Sequence, residues 1–166
     1  VRTPSGIARV VEHVSELPEL PASIIRLYAD CETRAPTPDG EGLSPYQGAK
    51  ACGWAVTWDD HPFAYYMPIR HREERWNLPI DVVVRWLNDA VRRSEEHVNH
   101  NVKFDAHFML DDGIEPASRM VCTLTRAKMV DSDRHGGHGL KPLAREWLKL
   151  PMEEVDAVDK YLSGVQ

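Results

Sequence analysis

Ile24-Ile25-Arg26-Leu27-Tyr28-Ala29-Asp30-Cys31-Glu32-Thr33 is an apolar run that ends in two carboxylates one residue apart. Side chains alternate along a strand, so Asp30 and Glu32 point to one face and Cys31 to the other. Two carboxylates side by side suit a divalent cation. Mg²⁺ and Mn²⁺ favour hard oxygen ligands and are held by a few carboxylates, with substrate phosphate and water completing the shell. A third carboxylate has to arrive from elsewhere in the chain. Asp105, which closes His100-Asn101-Val102-Lys103-Phe104-Asp105, can supply it.

Outward from this run, residues 34–48 hold three prolines and three glycines and read as a loop, longer than a tight hairpin needs. Loops of that length beside a site often contact substrate. The segments 51–58 and 63–69 are rich in Val, Trp, Tyr and Phe, and Asp59-Asp60-His61-Pro62 separates them as a turn does. With the first run they make three antiparallel strands. Ile80, Val83, Val84, Leu87 and Val91 mark one face of a helix, with Pro79 at its start. Residues 98–101 read as a short buried strand, 103–112 as a helix, and 123–129 and 140–148 as further helices. Ahead of the core, Ile7, Val10, Val11, Val14 and Leu17 recur at helical spacing, which predicts an amphipathic helix within a lead-in of residues 1–23. The whole is an α/β fold, a mixed sheet of antiparallel and parallel strands flanked by helices.

A length of 166 residues with 42% hydrophobic and 28% charged content fits one globular domain. The formal net charge of −6 does not exclude a nucleic-acid binder. Phosphate contacts need local Lys and Arg, which bunch in Arg70-His71-Arg72, Arg92-Arg93 and Lys141 to Lys149. Three cysteines, Cys31, Cys52 and Cys122, without a Cys-x-x-Cys, imply a reducing compartment and small core residues. No apolar run is long enough to span a membrane and no signal peptide is evident, so a cytoplasmic chain without a membrane partner is expected. His135 and His138 lie three apart, but a zinc site needs more ligands at characteristic spacing and no cysteine is near.

These motifs have a family likeness. Asp30-x-Glu32, Gly53-Trp54-Ala55-Val56-Thr57-Trp58, Ala64-Tyr65-Tyr66-Met67-Pro68-Ile69-Arg70-His71, Asn101-x-Lys103-Phe104-Asp105 and His138-Gly139-Leu140-Lys141 stand in one order. The chain resembles the 3′-5′ proofreading exonuclease domain of family A DNA polymerases. That domain belongs to the ribonuclease H-like exonucleases named for four acidic residues. The resemblance implies a ribonuclease H-like fold over residues 24–166 and hydrolysis of DNA from the 3′ end. It implies two divalent cations, Mg²⁺ or Mn²⁺, on Asp30, Glu32 and Asp105 as catalytic residues and metal ligands. Thr33, Asn101, Lys103 and Phe104 are the implied substrate contacts, with Arg70 and His71 as further candidates. The implied partners are a single-stranded or frayed DNA 3′ end and a polymerase domain C-terminal in a parent protein. An RNA-trimming exonuclease of the same superfamily and a catalytically silent scaffold share the same motifs.

One expected element is missing. The family completes its site with Tyr-x-x-x-Asp, yet Tyr161 is followed four residues later by Val165, and neither Asp156 nor Asp159 has a Tyr four residues before it. Three readings are open: a truncated exonuclease, a domain that has lost activity, or completion of the site by Asp131 or Asp133.

Overall fold

The hairpin that carries Asp30 forms because two β-rich runs pair across a loop and alternate in phase. In the computed structural model, which describes residues 2–3, 6–36 and 42–149, β3 (Ile24–Arg34) runs antiparallel to β4 (Lys50–Trp58). Leu27, Ala29 and Cys31 oppose Trp58, Val56 and Trp54, and all six are buried. Asp30 and Glu32 oppose Ala55 and Gly53 on the other face, and both carboxylates are exposed. The period of two read from the sequence is therefore the observed one. It breaks only at a bulge between Glu32 and Thr33, where Thr33 pairs with Ala51.

Five more strands complete the sheet among the described residues: β1 (Arg2–Thr3), β2 (Gly6–Val10), β5 (Phe63–Pro68), β6 (Ser94–Asn99) and β7 (Met120–Cys122). Their order is β1-β2-β5-β4-β3-β6-β7. The β3-β4-β5 meander is antiparallel, while β2 joins β5, and β6 joins β3 and β7, in parallel. The helices are α1 (Ile80–Arg93), α2 (Val102–Asp111), α3 (Thr123–Val130) and α4 (Leu140–Trp147), each within a few residues of its sequence expectation. Val83, Leu87, Ala90 and Val91 of α1 and Phe108 and Met109 of α2 join the core that Trp54, Val56 and Met67 build on the sheet. Each fully buried side chain of this size contributes about 1.5–3 kcal/mol of transfer free energy.

The N-terminal segment corrects the expectation. Residues 7–17 are not a helix: Gly6–Val10 is the strand β2, paired Ile7↔Phe63 through Val10↔Tyr66, and only Val14–Glu16 makes a short 3₁₀ turn. Val11 is buried, but Val10 and Val14 are exposed, so the residues spaced as a helix do not share one buried face. Pairing wins because β5 would otherwise present unpaired backbone along one side, and Val10-Val11 is a β-branched pair that favours extended chain. Within the lead-in, Gly6–Val10 thus joins the same sheet as the core. No helix among the described residues is long and apolar enough to cross a membrane.

Candidate active site

Asp30 and Glu32 are placed by β3, and their setting is polar. Asn99, at the end of β6, donates through Nδ2 to the Ala29 carbonyl at 3.0 Å and to Asp30 Oδ1 at 3.3 Å. This residue was missed in the sequence, where Asn101 drew attention. Asn99 reaches Asp30 because β6 lies parallel to β3, a long-range pairing that no local pattern announces. Beside it His97 is fully buried, with Nε2 3.3 Å from the same Ala29 carbonyl, and burial lowers its pKa.

Asp105 comes from the first turn of α2, where a carboxylate is favoured by the helix dipole. It is only 2% exposed, and its Oδ1 accepts the backbone N–H of Cys31 at 3.1 Å. Asp105 is thereby tied to the residue between Asp30 and Glu32. Burial lifts its carboxyl from the ordinary 3.8 to about 6; the Cys31 N–H opposes the rise and the charge of Asp30 adds to it. The Cys31 thiol is also pushed up, by burial first and then by Asp105, Asp30 and Glu32. The structure therefore ties Asp105 to Cys31, the residue between Asp30 and Glu32.

All three donors are hard oxygens, as Mg²⁺ or Mn²⁺ requires, and a cation beside Asp105 would favour its ionised form against the burial that raises it. They are not a closed cage: among the described residues no three His, Cys, Asp or Glu side chains converge as a ready-made metal set, Asp131 and Asp133 included. Such a donor set fits a hydrated ion that takes part of its shell from water and phosphate.

The implied substrate residues lie on the same elements. Asn101 is exposed and takes the left-handed conformation (φ 63°, ψ 43°) at the start of α2, its carbonyl accepting the Phe104 N–H at 2.8 Å. Phe104 is half-buried, 5.0 Å from the Phe108 ring, and packs against the core. Lys103 is exposed on the first turn of α2 and Thr33 is half-buried at the bulge. Of the long loop, the described part ends in the 3₁₀ turn Pro45–Gln47, where Tyr46 meets the His107 ring edge at 5.5 Å. The loop thus lies against the helix that carries Asp105.

Other candidates have structural partners. Arg70 donates to the Ala51 carbonyl at 2.8 Å and pairs with Asp112 at 2.7 Å, while Arg92 and Arg93 both face Asp89. These basic bunches are largely neutralised within the fold. His138 Nε2 lies 2.6 Å from the Asp131 carbonyl, which fastens the turn before α4. Cys31 is buried, whereas Cys52 and Cys122 are only partly so, and all three are free. Tyr161, with the stretch searched for Tyr-x-x-x-Asp, lies outside the described residues.

The chain is 29% identical over 108 residues to the DNA polymerase DpoZ of Salmonella phage PMBT28, covering 63% of the chain and 17% of that polymerase. Against the DpoZ of Acinetobacter phage SH-Ab 15497 it is 27% identical over 127 residues, 75% and 18% of the two lengths. The chain spans less than a fifth of these curated relatives. Among solved structures, Brucella melitensis NrnC superposes with a TM-score of 0.54 at 20% identity, over 86% of this chain and 59% of that one. NrnC structures with bound Mg²⁺ and bound to pGG each match at a TM-score of 0.53. The fold is ribonuclease H-like. A family model described as 3′-5′ exonuclease, of the DNA polymerase A type, matches residues 64–162, more than half of the sequence, and the chain belongs to that 3′-5′ exonuclease family.

Proposed function

We propose that this chain hydrolyses DNA phosphodiesters from the 3′ end with divalent cations held at Asp30, Glu32 and Asp105, as the proofreading part of a larger polymerase. The observation that carries the reading is the Cys31 N–H donated to Asp105 Oδ1, which ties a buried carboxylate, raised to about 6 by burial first, to the residue between Asp30 and Glu32. In a chain of the 3′-5′ exonuclease family, such a set calls for cations and a phosphate. Mg²⁺ in one NrnC structure and pGG in another support that ligand class, and the DpoZ relatives support a polymerase context.

Mg²⁺ or Mn²⁺ ions would supply an activated water and charge neutralisation at the leaving 3′ oxygen. Asp30, steadied by Asn99, would serve as a ligand to them. Glu32 would hold a cation and orient the attacking water. Asp105, with one oxygen engaged by the Cys31 N–H, would act on a cation mostly through water. Phe104 offers a face to the terminal base, and Asn101, Lys103 and Thr33 contact its sugar and phosphate. A frayed or single-stranded end is preferred because an unpaired base can stack on an aromatic without first leaving a duplex.

The test is a gel assay with 5′-labelled single-stranded DNA and, in parallel, RNA of the same sequence. Stepwise shortening from the 3′ end that requires Mg²⁺ or Mn²⁺, is lost in a folded Asp30→Ala chain and is faster on DNA is the expected outcome. Faster shortening of RNA would transfer the site to RNA trimming. Shortening that Asp30→Ala leaves undiminished would remove the site from these residues.

A further inference from the structure

Tyr66 belongs to β5, two strands from Glu32, yet its hydroxyl lies over Gly53, the cross-strand partner of Glu32. The register shows how. Glu32 pairs with Gly53 across β3 and β4, and Tyr66 pairs with Ala55, which in turn opposes Asp30. Paired residues share a face, so Tyr66 starts on the face of Asp30 and Glu32. Its ring then leans over Gly53. A Cβ built on Gly53 would land on the Tyr66 hydroxyl and the adjoining ring carbons. Cross-strand partners hold their Cβ atoms about 4.5–5.5 Å apart, so the hydroxyl occupies the place from which a side chain at residue 53 would touch Glu32. Glycine is required at that position by this approach, not by its backbone angles.

The hydroxyl is also fixed. His71 Nε2 lies 2.6 Å from the Tyr66 oxygen. His71 itself is clamped by Asn77, whose Oδ1 accepts the His71 N–H at 2.7 Å and whose Nδ2 donates to the His71 carbonyl at 2.9 Å. The Cys52 thiol, on the bulged part of β4, adjoins the same oxygen. Burial, with the charges of Cys52 and Glu32, pushes the Tyr66 pKa up, so the hydroxyl keeps its proton. A phenol seated over the glycine that pairs with Glu32, and held by a clamped histidine, exceeds what packing alone needs.

We propose that Tyr66, seated over Gly53 and held by His71, is a positioning residue for Glu32: His71 Nε2–H donates to the phenol oxygen, and the phenol proton is directed at the Glu32 carboxylate. It fixes the orientation from which Glu32 holds its cation and the attacking water. The inference rests on the reading of Glu32 given above.

The test is Tyr66→Phe in the full chain, which keeps the ring over Gly53 and removes only the hydroxyl. Hydrogen bonds to charged groups set the scale. The kcat for release of the 3′-terminal nucleotide should fall about ten- to a hundredfold with KM for the oligonucleotide within about twofold, and Mn²⁺ affinity by calorimetry should fall several-fold. His71→Ala should reproduce the loss, His71→Gln should recover part of it, and His71→Ala on top of Tyr66→Phe should add little, because the two act as a unit. A Tyr66→Phe chain that equals the wild type in both kcat and Mn²⁺ affinity would overturn the proposal, as would fully additive losses in the double variant. Wild-type activity insensitive to Asp30→Ala would instead strike the reading of the acidic site, so the two failures are distinguishable.

Discussion

Helix α2 carries a buried carboxylate at each end, and the two are treated oppositely. Asp112, just past the last turn, has a side chain with no exposure; Oδ1 accepts from Arg70 at 2.7 Å and Oδ2 from Trp54 Nε1 at 3.2 Å. It sits at the end where the helix dipole disfavours an anion, and a guanidinium compensates. Asp105, in the first turn where the dipole is favourable, is held by the Cys31 N–H and is pushed up by burial and by Asp30. One carboxylate is satisfied by the fold and fastens α2 to the sheet. The other is buried with a backbone N–H on it, and burial is what raises it.

The largest effect that could break this contrast is on chemistry. If Asp30 is the proposed cation ligand, Asp30→Asn should lower the rate of nucleotide release by about a thousandfold, while the melting temperature stays within a few degrees. A single-turnover assay beside a thermal melt measures both. Equal losses of rate and stability would make Asp30 a structural residue like Asp112.

Next comes stability. Arg70→Ala should leave Asp112 buried without its cation and cost about 3 kcal/mol, the lower end for a broken buried pair because Arg70 is partly exposed. Urea unfolding reads the value. A loss below about 0.5 kcal/mol would place the pair among ordinary surface ion pairs.

A smaller and opposite effect is expected at Asp105. Its folded pKa, about 6, is above the ordinary 3.8, so folding binds the proton more tightly. The metal-free fold is favoured below the ordinary value, and that contribution is lost as pH rises toward 6 and stays lost above it. Asp105→Asn should therefore flatten this part of the stability profile and raise metal-free stability at neutral pH by about 1–2 kcal/mol, while removing activity. A variant less stable than wild type at pH 7 without metal would show that the Asp105 charge is compensated after all.

The mildest test is Phe104→Ala. Loss of one stacked base costs about 1–3 kcal/mol, so affinity for a DNA 3′ end should fall on the order of tenfold. Calorimetric binding with a melt alongside separates this from core loss. Unchanged affinity in the folded variant would assign Phe104 wholly to its packing against Phe108.

Legibility follows the range of the interaction. The phase of Asp30, Cys31 and Glu32 is a property of one strand, so alternation alone gave it correctly. Helices α1, α2, α3 and α4 repeat their apolar residues within a few turns and were legible for the same reason. β2 was not, because whether Gly6–Val10 coils or extends depends on β5, more than fifty residues away. Met120–Cys122 is too short to show a period. Asn99 beside Asp30, Asp112 under Arg70 and the Tyr66 ring over Gly53 are contacts between elements that meet only in the sheet. The carboxylates proposed for the site stand within local motifs of the chain; these contacts between elements do not.

The Cys31 amide has a spectroscopic consequence. Its proton points at Asp105 Oδ1 from the residue between Asp30 and Glu32. In a ¹⁵N-labelled chain this resonance should shift as Asp105 takes up its proton and shift again when a cation draws on the same carboxylate. One backbone nucleus then records protonation and metal arrival separately, without a chromophore, a mutation or a turnover.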